Sequence, residues 1–222
     1  MSVKRNFWMN KVYLDENIFY IDNFISPEDI DFMLKIFYEN NPKFVIKEVH
    51  GIHEVCDFIN HPESQKIWNQ LGEKIKKLFN NDKERATNLS SDVRLINYYS
   101  DDTTSRGHKE WAMIPHSDTF DIKSESEKVL VQVLVNKGFV LFFTDNFDGG
   151  EIVYVNKNIS FKPKAGTLLC HPGSAEYTHG VNKFFGSDRI IVAGFVHQVP
   201  CSCRECKMSL EDEYRKPPIY FK

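Results

Sequence analysis

The chain has 222 residues, 41% hydrophobic and 27% charged, with a formal net charge of −3. That balance is the one of an ordinary globular protein; it excludes a disordered chain and lacks the basic excess of a nucleic-acid binder. No run of about eighteen apolar residues is present to span a membrane, and the opening stretch through Tyr20 breaks its apolar residues with Asn, Lys, Asp and Glu, unlike a signal peptide.

The first element begins at Ser26-Pro27-Glu28-Asp29, where Ser26 can cap a helix, Pro27 suits its first position and Asp29 falls where a capping acid belongs. Ile30, Met33, Leu34 and Phe37 recur at helical spacing, and Asn40-Asn41-Pro42 ends the run. A second helix is expected from Pro62, with Ile67, Trp68, Leu71, Ile75 and Leu78 on one face. The polar stretch Asn80 to Asp92 closes this helical part. From Val93 the pattern turns to short β-rich runs: Val93–Tyr99, Val129–Val135, Phe139–Phe143, Ile152–Val155, Thr167–Cys170 and Ile190–Val196. Asn136-Lys137-Gly138, Asp148-Gly149-Gly150 and Pro172-Gly173 are expected as turns between them. Helices followed by many strands predict a single α+β domain over residues 1–222: a helical support region (1–92), a jelly-roll core (93–200) and a cysteine-containing tail (201–222).

Chemistry concentrates at His116-Ser117-Asp118. On an extended strand, residues two apart point to the same side, so both side chains can meet one ion. The motif by itself is common; about half an occurrence is expected by chance in a chain with this many histidines. A rival, His108-Lys109-Glu110, lies in a polar stretch and reads as solvated loop. His116 instead follows Ala112-Met113-Ile114-Pro115, which leads it to the edge of a core. One further His on a later strand would complete a two-His, one-carboxylate set of the kind that suits non-haem Fe(II). His179 stands ahead of the last strong strand, and Arg189 follows ten residues on, where its guanidinium can grip the far end of a dicarboxylate.

These segments together resemble the catalytic domain of the prolyl 4-hydroxylase-like branch of the Fe(II)- and 2-oxoglutarate-dependent oxygenases. Tyr20 to Glu28 is similar to that family's entry into its first helix, and Leu95-Ile96-Asn97-Tyr98-Tyr99 to the strand whose Tyr reaches the cosubstrate. His116-x-Asp118 is similar to the first two metal ligands, Asp145 to Glu151 to the Gly-Gly-Glu segment, and Pro163 to Leu169 to the strand before the last ligand. His179-Gly180-Val181 and Arg189 are similar to the final His and the carboxylate-binding cation. The resemblance implies a double-stranded β-helix with N-terminal supporting helices, and Fe(II) held by His116, Asp118 and His179. It implies 2-oxoglutarate bound by Arg189 and Tyr98, with Tyr99 as the alternative, O2 as oxidant and ascorbate as reductant. The products would be succinate, CO2 and a hydroxylated substrate. A peptidyl proline is the leading substrate, with other protein side chains and small molecules open. Asp118 in the carboxylate position favours hydroxylation over halogenation. The strand following the His-x-Asp has two candidates, Val129–Val135 and Phe139–Phe143.

Other residues have plainer readings. Gly149 and Gly150 need only make a turn, His171 beside Pro172 reads as structural, and His50 and His53 as strand or loop residues or as lining a substrate groove. Cys201, Cys203 and Cys206 can bind a structural zinc with His197 as a fourth ligand, or form an incidental thiol patch. Five cysteines with no export signal fit a reducing compartment, with the cytoplasm as the default. Against the oxygenase stand a non-catalytic binding module of the same fold and a cupin-like metalloenzyme that needs no 2-oxoglutarate.

Overall fold

Helix α1 (Pro27–Glu39) starts where its cap requires: the Asp29 N–H donates to Ser26 Oγ at 3.1 Å and the Ile30 N–H to the Ser26 carbonyl at 3.0 Å. Its buried stripe is Ile30, Met33, Ile36 and Phe37, with Leu34 only partly covered. Helix α2 (Pro62–Phe79) buries Leu71, Ile75, Leu78 and Phe79, and its Lys76 and Lys77 complement the negative end of the helix dipole. The computed structural model describes residues 10–39, 43–47, 51–56, 61–79, 86–89, 95–98, 111–118, 120–123, 130–133 and 137–199.

The strands form two facing antiparallel sheets and two short ribbons. The larger sheet runs β1 (Val12–Tyr13), β2 (Phe19–Ile21), β14 (Leu168–Pro172), β10 (Lys137–Phe142), β17 (Arg189–Val199), β6 (Leu95–Tyr98), β4 (Gly51–Cys56), β3 (Lys43–Lys47), and β5 (Ala86–Leu89) pairs the far half of β17. The smaller sheet runs β13 (Ile159–Phe161), β12 (Ile152–Tyr154), β15 (His179–Asn182), β7 (Trp111–His116). The ribbons are β8 (Phe120–Lys123) with β9 (Leu130–Val133), and β11 (Phe147–Gly149) with β16 (Phe184–Gly186).

The period of two along β10 explains the layering. Phe139 and Leu141 pack outward under the helices, in one core with Met33, Phe37, Leu71, Ile75, Ile190 and Val192. Val140 and Phe142 face the smaller sheet, in a second core with Ile152, Tyr154, Leu169, Val181 and Ile191. A strand covered on both sides has no polar face, which is why this stretch reads as an unbroken apolar run. Ile75 is fully buried between α2 and the larger sheet. Ile75→Ala is expected to cost about 2–5 kcal/mol, the usual range for deleting a buried aliphatic side chain. Chemical denaturation would measure it as a lowered midpoint with an unchanged slope.

The expected turn at Asn136-Lys137-Gly138 is corrected. Lys137 and Gly138 lie inside β10, paired to Pro172 and His171 on one side and to Val196 and Phe195 on the other. A glycine normally weakens a strand, but here a side chain would strike groups packed across from it, as shown below. Asp148-Gly149-Gly150 does bend the chain: Gly149 and Gly150 have φ of 75° and 71°, and a Cβ on Gly149 would collide with the Lys183 carbonyl. The region expected to be helical support also supplies β1–β5, all of which join the larger sheet. These strands are short: β1 and β3 pair only with their chain neighbours β2 and β4, while β2, β4 and β5 join the sheet through β14, β6 and β17 far along the chain, so local periodicity did not announce them.

Candidate metal centre

The smaller sheet brings the first two imidazoles together. β7 and β15 are antiparallel neighbours, and their register sets His179 opposite His116, with the rings 4.8 Å apart. Asp118, two residues past His116, turns its carboxylate to the same side, with Oδ1 3.9 Å from His116 Nε2. One potential ligand atom from each of the three lies within 4.8 Å of the others. Ligands about 2.1 Å from a common ion stand roughly 3–4 Å apart, so the set needs little adjustment to hold one.

Backbone contacts choose the tautomers. His116 Nδ1–H donates to the Ile114 carbonyl at 3.0 Å, and His179 Nδ1–H to the Tyr177 carbonyl at 3.0 Å. Each imidazole then presents the lone pair of Nε2, the form a metal needs. The Tyr177 carbonyl is itself anchored: its residue ends a one-turn helix, Ala175–Tyr177, and its hydroxyl accepts from Asn17 Nδ2 at 2.9 Å.

Burial sets the charges. Asp118 is 8% exposed, and desolvation pushes its pKa up to about 6 against the opposing pull of His116. Burial lowers the pKa of His116 and of His179. The 3.9 Å His116–Asp118 contact is therefore no ion pair at neutral pH: the lowered pKa of His116 leaves its imidazole neutral, while Asp118 gives up its proton only near pH 6. Two neutral imidazoles and a reluctant carboxylate make a site that a cation completes. This donor set fits non-haem Fe(II). Because the ion must displace the Asp118 proton, metal affinity is expected to be level near neutrality and to fall about tenfold per unit below pH 6. The imidazoles, whose pKa values are lowered, compete for protons only at more acidic pH. Anaerobic Co(II) titrations spanning about pH 5 to 7 would check this; constant affinity across that range would contradict Asp118 as a ligand.

Arg189 opens β17 and is almost fully buried. Thr144 fixes the chain around it, its hydroxyl accepting the Ile190 N–H and donating to the Asp188 carbonyl, both at 2.8 Å. Alternation puts Arg189 on the same face as Ile191, toward the space between the sheets, and its Cζ lies 5.5 Å from the centre of the Phe142 ring. Tyr98 lies on β6 with its backbone directly opposite Arg189, and His53 of β4 opposite Tyr98 in turn.

Two further side chains stand against these ligands, one read from the sequence as structural and one that no motif singles out. His171, read as structural, projects from β14 with its ring 4.4 Å from that of His179 and its Nδ1 3.8 Å from Asp118 Oδ2. Tyr154 pairs with His179 across β12 and β15, and its ring stands 5.6 Å from both His171 and His179. The Tyr154 hydroxyl is buried without a hydrogen-bond partner among the described residues. Alternation from Leu169 would have placed His171 inward, had the strand been extended past Cys170. Cys201, Cys203, Cys206, Tyr99, His50 and the rival His108-Lys109-Glu110 lie outside the described residues. Of the two candidate strands, Leu130–Val133 forms β9 in a ribbon with β8, and Phe139–Phe142 lies in the central β10. Among the described residues, no helix is long and apolar enough to cross a membrane.

No family model and no curated protein matches the chain. Solved structures do. A viral collagen prolyl hydroxylase from Paramecium bursaria Chlorella virus-1, in its 2-oxoglutarate complex, is 16% identical; the match covers 82% of this chain and 96% of that one, with a TM-score of 0.59. A prolyl hydroxylase from Trichoplax adhaerens, bound to a peptide fragment of the hypoxia inducible factor oxygen degradation domain, is 13% identical over 81% of this chain and 83% of that one, with a TM-score of 0.57. A prolyl-4-hydroxylase from Pseudomonas putida is 14% identical over 82% and 92%, with a TM-score of 0.52. The chain thus has the fold of prolyl 4-hydroxylase-like 2-oxoglutarate and Fe(II) oxygenases, at identities where the likeness is one of fold.

Proposed function

We propose that this protein is an Fe(II)- and 2-oxoglutarate-dependent dioxygenase that hydroxylates a prolyl or other amino-acid side chain of a peptide. The observation that carries the reading is the convergence of two Nε2 lone pairs and one buried carboxylate within 4.8 Å of one another, in a fold shared with such enzymes.

In this reading His116, Asp118 and His179 would hold Fe(II), the ion that a two-His, one-carboxylate set suits. Arg189 and Tyr98 bind the far carboxylate of 2-oxoglutarate. Arg189 suits this task because a guanidinium matches a carboxylate bidentately, and its burial makes that contact strong. Bound Fe(II) supplies the chemistry that couples O2 reduction to decarboxylation of 2-oxoglutarate. The balance is one O2, one 2-oxoglutarate and one C–H substrate giving succinate, CO2 and the alcohol, with one oxygen atom in each of succinate and alcohol. Phe142, Ile152, Val181 and Ile191 pack with Tyr154 in the apolar core between the sheets, which would help to keep water from the reacting centre. Ascorbate would serve as reductant for iron that becomes oxidised between turnovers. A peptide substrate is supported by the bound peptide of the Trichoplax structure.

The test is an anaerobic mixture of protein, Fe(II), 2-oxoglutarate and a proline-rich peptide panel, opened to O2 and assayed for succinate and for an added oxygen mass on each peptide. Succinate that requires both 2-oxoglutarate and peptide is the expected result. Oxidation that proceeds without 2-oxoglutarate would replace this reading with a cupin-like one. Failure to form a chelate with Fe(II) and 2-oxoglutarate would replace it with a binding module.

A further inference from the structure

Asp118 presents two oxygens, and they face different partners. Oδ1 is turned toward His116 Nε2 and the centre of the ligand set, while Oδ2 is turned toward His171 Nδ1 at 3.8 Å. Once an ion takes Oδ1, Oδ2 is a buried anionic oxygen that needs a donor, because ligating carboxylates are held by hydrogen bonds of their own. His171 has its proton in the right place. Its Nδ1 lies 3.2 Å from the Pro172 carbonyl, an acceptor that keeps the proton on Nδ1, and to hold Oδ2 this N–H is shared between the carbonyl and the carboxylate or swings from the first to the second. The Asp118 contact is about 1 Å longer than a hydrogen bond, a gap that rotation of the carboxylate on binding an ion has to close.

The neighbours keep this contact available. A Cβ on Gly138 would sit 2.6 Å from Asp118 Oδ2 and 2.8 Å from His171 Cε1, so only glycine lets the carboxylate and the imidazole meet over β10. Tyr154 packs edge-on against His171, limiting the ring's freedom to turn away. His171 is 1% exposed, so water does not offer Oδ2 an easy substitute from that side.

We propose that His171 is a positioning residue for the metal centre: it holds Asp118 Oδ2 and so keeps the carboxylate turned with Oδ1 toward the ligand set. This rests on the metal-site reading above. The arrangement pairs an imidazole with a ligating carboxylate, a mirror of the usual carboxylate that orients a ligating imidazole.

The test reads metal binding, not turnover. Metal-free protein is titrated anaerobically with Co(II), following its visible absorption, for wild type and for His171→Phe, His171→Asn and His171→Gln. Phe keeps a flat ring and removes the donor. The Asn amide nitrogen falls near the position of Nδ1, and that of Gln near Nε2. The expected result is Co(II) affinity weakened about 10–100-fold in His171→Phe, recovered in His171→Asn and not in His171→Gln. Gly138→Ala, which wedges the pair apart, weakens it as well. Equal affinity in wild type and His171→Phe overturns the proposal, and so does equal recovery by Asn and Gln. If the Phe variant does not fold, the Asn and Gln variants alone decide. Wild-type protein that binds no Co(II) overturns the metal-site reading, and this inference with it.

Discussion

Replacing Asp118 by Ala is expected to abolish peptide-dependent succinate formation while leaving the metal-free protein as stable as wild type, or more so. The loss should exceed the roughly 100-fold that removal of an outer partner of a ligand costs, since a ligand itself is gone. The stability half of the expectation comes from the pKa of Asp118, raised by burial from 3.8 to about 6 in the fold. Between these values the folded state holds a proton that the unfolded state has released. Stability contributed by this group is therefore present at low pH and falls as pH rises toward 6. Above that the fold carries a desolvated carboxylate, at a cost of about 3 kcal/mol from the size of the shift. Ala removes that cost. The lowered pKa values of His116 and His179 act in the opposite sense, adding a penalty as pH falls below about 6.5. Thermal melts of wild type and variant near pH 7, with and without Co(II), measure both halves. Wild type should gain stability with the ion and the variant should not. A variant that is strongly destabilised without metal would mean that Asp118 serves the fold and not an ion.

Arg189→Leu carries the second large effect. Arg189 is 1% exposed and its strand entry is pinned through Thr144; in the proposed reading it grips the far carboxylate of 2-oxoglutarate. Removing one partner of a buried, hydrogen-bonded charge pair costs about 2–5 kcal/mol, so KM for 2-oxoglutarate should rise by roughly two to three decades. Co(II) affinity should stay at the wild-type value, because Arg189 is not among the ligand atoms that converge. Arg189→Lys keeps the charge but loses the fork and should fall between the two. Isothermal titration with 2-oxoglutarate and with a 2-oxo monocarboxylate separates the roles. Wild type should prefer the dicarboxylate, and Arg189→Leu should lose that preference. A preference unchanged in Arg189→Leu would remove Arg189 from the cosubstrate site.

Both helices and most central strands were legible because their signals are local. Ser26 caps the helix three residues before the N–H it accepts, and Ile67 to Leu78 repeat at the spacing of one helix face. The run Phe139–Phe143 is apolar because both sides of β10 are covered. The pair His116 and Asp118 could be joined on paper because two residues of extended chain bring side chains to one side. His179 and Arg189 were named by their order and by family resemblance, since nothing local to either residue announces a partner.

What the sequence by itself determined is therefore the helices, the buried strand runs and a short list of residues able to bind a metal and an anion. What only the tertiary structure decided is which of them meet. The β7–β15 register sets His179 across from His116. The place of β14 beside β10 brings His171 to Asp118 and explains a glycine that had read as a turn. The pairing of β12 with β15 adds Tyr154. Each is a contact between residues tens of positions apart, settled by strand pairing and by which face of the sheet is buried. A one-residue slip in register would reverse the face of every side chain, and no pattern within a single strand records that choice.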